Sequence, residues 1–514
     1  MKKIKLPVIL ILLTNCLISQ TLTFDWYKQS DDYDRAEQVY AGQDKNFYYA
    51  IESGNNLNKL NVFKYDINTL NLIKNQEIEI KEEKKSDVIS RRLISIKGNV
   101  YLIYIIEYRK LNKKTLFSCA FNEDMKLSKE INKIDSLTYT DEENDKYNTG
   151  DFRIVLSDEA DKIIVLKLPP NSPNKQYDFT CIVLDEKMKK NHETNILTPY
   201  KNYAGDLTAL FRMNNDIMYL LAREFINSNN KNEKPKTANT LITHNFNSKK
   251  TTYVTLKVGD YICYDSKFVF NKRKQLNIIG LITNIEMLKD KVARGYAISG
   301  AYCMKLNSNN DSIIETQIRN LGEIEENYDY GIKNINNYDD GTYAVVCEQH
   351  NVETEWQMDR SGAVPKSVYS YTHRYKNIII FNMGNDQTKN WLKIFDKVQK
   401  STTSHSSLGN EEHSLLAINN GTNLNLIVNS ILPAEIGKVA NDKYDFGSSD
   451  KKWYSKWINV SQTGEVVIKN FSNKDDESIP TIFTNGIKLF LGSNTILLPQ
   501  LKKKGNNIGK LTLK

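Results

Sequence analysis

The chain has 514 residues, 40% of them hydrophobic and 26% charged, so it can bury a large core and is not of disordered composition. Ten Pro and 23 Gly exclude collagen-like and Pro-rich architectures. The formal charge of +8 falls to +5 without Lys2, Lys3 and Lys5, and the rest is dispersed, which argues against a nucleic-acid partner.

Residues 1–20 read as an export signal. Lys2, Lys3 and Lys5 form a basic start, and Leu6 to Leu13 a short apolar run. Ser19 offers cleavage before Gln20. Cys16 after the apolar run offers the alternative of a lipid anchor. No other stretch approaches the ~18 apolar residues of a membrane helix. The expected address is therefore the periplasm, the outer membrane surface or the extracellular space.

Residues 21–514 read as one repetitive all-β domain. A turn of Asn, Asp, Lys or Gly recurs before an apolar run rich in β-branched and aromatic residues. The runs begin at Asp44, Lys97, Asp161, Asn215, Lys274, Asp340, Thr422 and Asn485, spaced 53 to 82 residues apart. Each is flanked by one apolar run before it and two alternating runs after it, as in Val62 to Asp66 or Lys250 to Leu256. Four strands per repeat describe a β-propeller, because a sheet with two apolar faces needs a neighbour on each. Eight anchors favour eight blades, each with its anchor as second strand. Seven follow if Ile487 to Lys514 is a half blade or closes the ring, and two stacked smaller propellers are a third option.

Cys119, Cys181, Cys263, Cys303 and Cys347 sit singly in apolar runs, which reads as buried reduced thiols. Cys263 with Cys303 is the pair to examine for a bridge, since both fall in one blade.

Long insertions follow several anchors, at Leu168 to Gln176, Arg223 to Ala238, Thr283 to Arg294 and Glu348 to Tyr375. All leave the ring on one side, where a repeat scaffold carries its binding surface. The last is the longest and carries the candidate site residues His350, Trp356, Arg360, Tyr369, Tyr371, His373 and Arg374. Aromatic and Arg side chains on a projecting element suit partner contact. The competing reading is that the hairpin folds over its blade and buries them. His350 and His373 can face each other across a hairpin, but two ligands alone make a poor metal site, and no metal or cofactor is expected.

Catalytic signatures are absent. There is no Gly-x-Ser-x-Gly elbow, P-loop or dinucleotide fingerprint, and His192-Glu193 lacks the second His of a zincin. Asp141 to Asp145 lacks the Gly of a calcium loop and reads as a solvated acidic loop. The sialidase, WD and kelch motifs are missing. Asn385 to Trp391 and Asp66 to Thr69 echo the Asp-x-x-Thr turn of quinoprotein-like propellers, in which the Trp packs between blades.

Ile378 to Phe381, the turn Gly384-Asn385-Asp386, Trp391 and Lys397-Val-Gln399 carry a wider likeness. With Gln20 behind a short signal, the chain resembles uncharacterised secreted β-propeller-like proteins of the Bacteroidota. The resemblance implies a secreted propeller and no activity. The expectation is a non-catalytic binding or scaffold propeller whose partner is a protein or glycan at the cell surface. The alternatives are a secreted hydrolase acting on glycans or peptides, and a structural subunit of a surface assembly.

Overall fold

The computed structural model describes residues 22–513 apart from 28–37, 44–45, 53–56, 70, 81–85, 123, 140–149, 158–160, 171–175, 200–209, 227–235, 272–273, 284–297, 308, 310–311, 323, 325–328, 360–365, 385–389, 404–414, 420–421, 431–437, 440–442, 449–453, 471–488, 491–494 and 502–505. The expected leader with Cys16, the acidic run Asp141 to Asp145, and Asn385 with Asp386 lie outside the described residues.

The strands fall into successive sheets. After β1 (Leu22–Tyr27) come β2 (Gln38–Gln43), β3 (Phe47–Glu52), β4 (Lys59–Asp66) and β5 (Leu72–Glu79). The next sheet is β6 (Asp87–Ile96), β7 (Asn99–Tyr108), β8 (Lys113–Phe121) and β9 (Leu127–Thr138). Then follow β10 (Asp151–Leu156), β11 (Ile163–Leu168), β12 (Asp178–Leu184) and β13 (Lys190–Leu197). The fourth set is β14 (Leu210–Asn214), β15 (Ile217–Ile226), β16 (Lys236–Asn245) and β17 (Lys250–Leu256). The fifth is β18 (Ile262–Phe270), β19 (Leu276–Thr283), β20 (Gly300–Leu306) and β21 (Ile313–Asn320). The sixth contains β22 (Tyr330–Asn337), β23 (Tyr343–Asp359), β24 (Lys366–Met383) and β25 (Leu392–Thr403). Beyond it lie β26 (Leu415–Asn419), β27 (Asn423–Ser430), β28 (Lys438–Val439), β29 (Lys443–Ser448), β30 (Tyr454–Ser461) and β31 (Val466–Asn470). The last strands are β32 (Leu489–Phe490), β33 (Thr495–Leu501) and β34 (Asn506–Leu513).

Among the described residues, seven sheets have four strands and one has six. Apart from one 3₁₀ turn, Arg109–Leu111, the described residues contain no helix, and none that could cross a membrane.

The repeated pattern has a packing cause. Second strands are buried on both sides: β19 is buried at every residue, and β11 at all but Lys167. Fourth strands alternate, as β21 does between half-buried and exposed positions, because fewer neighbours cover them. Adjacent residues of one strand serve opposite interfaces. Val165 packs with Ile103 and Ile105 of the preceding sheet, whereas Ile164 packs with Leu220 and Ile242 of the next. Likewise Ile278 joins Leu221 and Leu241, and Ile279 joins Val345 and Phe381. Val346 in turn packs with Leu426 and Ile458. This face-to-face succession of antiparallel sheets is a propeller-type repeat.

Two expectations need correction. The run beginning at Asn485 contains β32, which lies at the end of the sheet order β1-β34-β33-β32, so it supplies a first strand rather than a second. The last three strands are completed by β1, paired antiparallel with β34 from Leu22↔Leu513 to Tyr27↔Ile508. Cys263 and Cys303 also cannot bridge. Cys263 faces the interface with β15 and β16, while Cys303 faces that with β23 and β24, on the other side of their sheet. All five described cysteines are free and buried.

Candidate functional site

The sequence-predicted insertion Glu348 to Tyr375 is not a loop but an extension of two strands. β23 runs 17 residues and β24 runs 18, paired from Tyr343↔Met383 outward to Asp359↔Lys366. The alternation of Tyr369, Tyr371 and His373 is what one strand of such a hairpin requires. Register gives the arm two faces. His350/Tyr375, Val352/His373, Thr354/Tyr371 and Trp356/Tyr369 are opposed pairs on one face. Asn351/Arg374, Glu353/Thr372 and Glu355/Ser370 form the other. There Arg374 Nη2 donates to Glu353 Oε2 at 2.9 Å.

The aromatic face changes character along its length. At the base, His350 stacks on Tyr375 with ring centroids 4.2 Å apart, and His350 Nε2 lies 3.3 Å from His373 Nδ1. His373 and Tyr375 are buried, so the packing reading holds for the base. At the outer end Trp356 is 63% exposed and Tyr369 52%, so the packing reading does not hold there. Tyr371 between them is half-buried. Arg360 lies outside the described residues.

Beneath the histidines is a charge cluster that sequence reasoning missed. Glu348 is fully buried, with its Oε1 2.6 Å from Lys397 Nζ and its Oε2 3.4 Å from Lys333 Nζ. Lys397 also donates to Gln399 Oε1 at 2.8 Å, and Gln399 Nε2 donates to the Asn429 carbonyl of β27 at 2.8 Å. The network thus ties β22, β23 and β25 to the next sheet. Both ammonium groups stand 5.8 Å from the Tyr375 ring centroid. Burial, then the nearby Lys333 charge, push the His350 pKa down to about 4, so it is neutral near pH 7. Burial also lowers the Lys397 pKa, and the Glu348 carboxylate opposes that shift.

The pair of histidines finds no further ligand: no group of three or more His, Cys, Asp or Glu able to hold a metal occurs among the described residues. A separate groove of about 670 Å³ lies between β9 and the β12–β13 turn, lined by Glu130, Lys133, Lys187, Lys189 and Lys190 among others. No sequence-predicted site residue lines it.

The sheet below the arm is extended by an insertion that sequence reasoning did not single out. Between β27 and β30 the chain sends β28 and β29 back to the preceding sheet, where β29 pairs in parallel with β25 from Ile394↔Lys443. The 82-residue spacing between the sixth and seventh anchors reflects the arm, but nothing in it marked this return. Trp391 does pack between sheets. It joins the cluster with Leu426 and Ile458, and its Nε1 donates to the Gln462 carbonyl at 3.1 Å. The turn Asp66 to Thr69 is closed by Asp66 Oδ1, which accepts from the Asn68 and Thr69 amides at 3.0 and 2.7 Å.

No protein-family model and no curated protein matches this chain. Among solved structures it is similar to the WD40 domain of SCAP from fission yeast, with a TM-score of 0.38 and 8% identity over 95% of this chain and 98% of that one. It is similar also to the N-terminal domain of Nup159, with a TM-score of 0.32 and 10% identity over 96% of each chain. A Synechocystis apocarotenoid oxygenase mutant gives 0.29 and 8% over 67% of this chain and 68% of that one. The functional reading rests on the sheets and side chains themselves.

Proposed function

We propose that this protein is an exported, eight-bladed, non-catalytic binding propeller whose contact element is the β23–β24 arm. The carrying observation is the exposed Trp356–Tyr369 pair at the end of an arm whose base is buried and hydrogen-bonded. Large aromatic rings held on a two-stranded support lose little conformational freedom on binding, so their area converts well into affinity. The buried cluster favours binding over catalysis, because Glu348 is sealed from solvent and compensated by two lysines. The sheet completed by β1 and β34 fits an eighth blade that closes the ring. The basic, apolar start of the chain supports export, with processing at Gln20 or lipidation of Cys16. The partner is a protein or glycan at the cell surface.

The test is to replace residues 352–371 by a short turn, keeping His350 and His373 in place. The thermal midpoint should stay nearly unchanged, while capture of envelope proteins and glycans disappears. Capture that persists would place the contact surface elsewhere.

A further inference from the structure

Among the described residues the two edges of the arm are paired to different depths. On one side, β25 follows β24 out to Tyr371, opposite Thr403. On the other, β22 stops at Tyr330, opposite Gln349, and the last rung is the His350 amide donating to the Asp329 carbonyl at 3.0 Å. Past that point no described strand pairs with this edge of β23. Backbone direction alternates along a strand, so Val352, Thr354 and Trp356 aim their N–H and C=O groups the same way as His350. All three residues are exposed.

Open edges of this kind are normally blunted by Lys, Pro or a bulge. From Asn351 to Trp356 this edge has no Lys, Pro or Gly and a regular register. It is therefore a template for an added strand. The occupant can be read from the flanking side chains. One face offers Val352 and Trp356, while the other offers Glu353 and Glu355. A second copy of this strand is disfavoured, because antiparallel pairing about Thr354 sets Glu353 against Glu355 of the other copy, twice.

We propose that the edge Val352–Trp356 takes up an extended peptide segment as an additional β-strand. The segment carries Lys or Arg at every second position, against Glu353 and Glu355, and apolar residues between them on the Trp356 side. This deepens the binding-arm reading and rests on it. Affinity comes from main-chain hydrogen bonds, and selection from the alternating side chains.

The probe is a synthetic octapeptide of alternating valine and lysine, titrated calorimetrically into the purified full-length protein. It should bind, and an alternating valine–glutamate peptide should not. N-methylation of its edge-facing amides should weaken binding at least about tenfold, because each blocked amide loses a main-chain bond. Thr354→Pro should do the same from the protein side, since it removes an outward donor and leaves the β23–β24 ladder intact. Glu355→Lys should favour the valine–glutamate peptide. Equal binding of the methylated and unmethylated peptides to the parent protein would overturn the proposal, and that comparison needs no variant. Absence of binding at millimolar peptide would also overturn it. So would a dimer in sedimentation that Thr354→Pro dissolves, since the edge would then belong to a second copy. If Thr354→Pro binds like the parent while Trp356→Ala loses partner capture, the edge proposal fails and the binding-arm reading survives.

Discussion

Lys397→Met is the most direct test of the buried network. Met keeps most of the aliphatic volume and removes the ammonium group. The Glu348 carboxylate then loses its 2.6 Å partner and keeps Lys333 at 3.4 Å. Gln399 loses the donor to its Oε1. Removing one member of a buried pair typically costs about 3–5 kcal/mol, because the remaining charge stays desolvated. Lys333 compensates in part, so the expected loss is about 3 kcal/mol. Glu348→Gln combined with Lys397→Met removes the stranded charge and should lie within about 1–2 kcal/mol of the parent. Urea unfolding of parent, both single variants and the double variant gives the cycle, with an expected coupling of about 2 kcal/mol. Additive losses, or a Lys397→Met cost below about 1 kcal/mol, would refute the argument that this ion pair is enclosed and mutually dependent.

Acidification should loosen the arm base. The folded-state His350 pKa of about 4 lies below the ordinary 6.5, so the unfolded chain binds more protons between these values. Stability should therefore fall as pH drops from about 6.5 toward 4, and His350→Phe should flatten that part of the thermal-midpoint profile. A profile unchanged by His350→Phe would count against the burial argument. Two glycines separate backbone strain from packing. Gly98 (φ +82°) has nothing within 4 Å of an added Cβ, whereas at Gly464 (φ +84°) the added atom falls 2.5 Å from Trp391 Cγ. Gly98→Ala should cost about 1–2 kcal/mol. Gly464→Ala should cost at least about 1 kcal/mol more, and equal losses would remove the case for a tight Trp391 seat.

The sheet repeat was legible because both faces of the second strands are buried. Runs such as Leu276 to Thr283 cannot be solvent-facing loops, and their turns punctuate them. The eighth anchor was misplaced because a first strand at the core carries the same apolar signature as a second. The arm was legible as an aromatic hairpin, but its division into a buried base and an exposed end was not. His373 and Tyr369 look alike in sequence, and only the neighbouring sheet decides which is covered. Glu348 and Lys397 were illegible for a related reason. Glu348 ends an apolar run and Lys397 follows Asp396, positions where charge ordinarily marks the exit to solvent. Here Gln399 and Asn429 extend the interface past that point.

The pairing of β1 with β34 bears on how the chain reaches this state. Leu22 meets Leu513, a contact that spans nearly the whole sequence, whereas five of the other four-stranded sheets are built from consecutive strands and the sixth is interrupted only by β28 and β29. Local sheets can form early, each on its predecessor, but this pairing pays the loop-closure entropy of the entire chain. Until it forms, β1 lacks its partner strand and one edge of β34 is unpaired, and such edges invite aggregation. The slowest folding step, and the species most prone to aggregation, should therefore belong to that single junction.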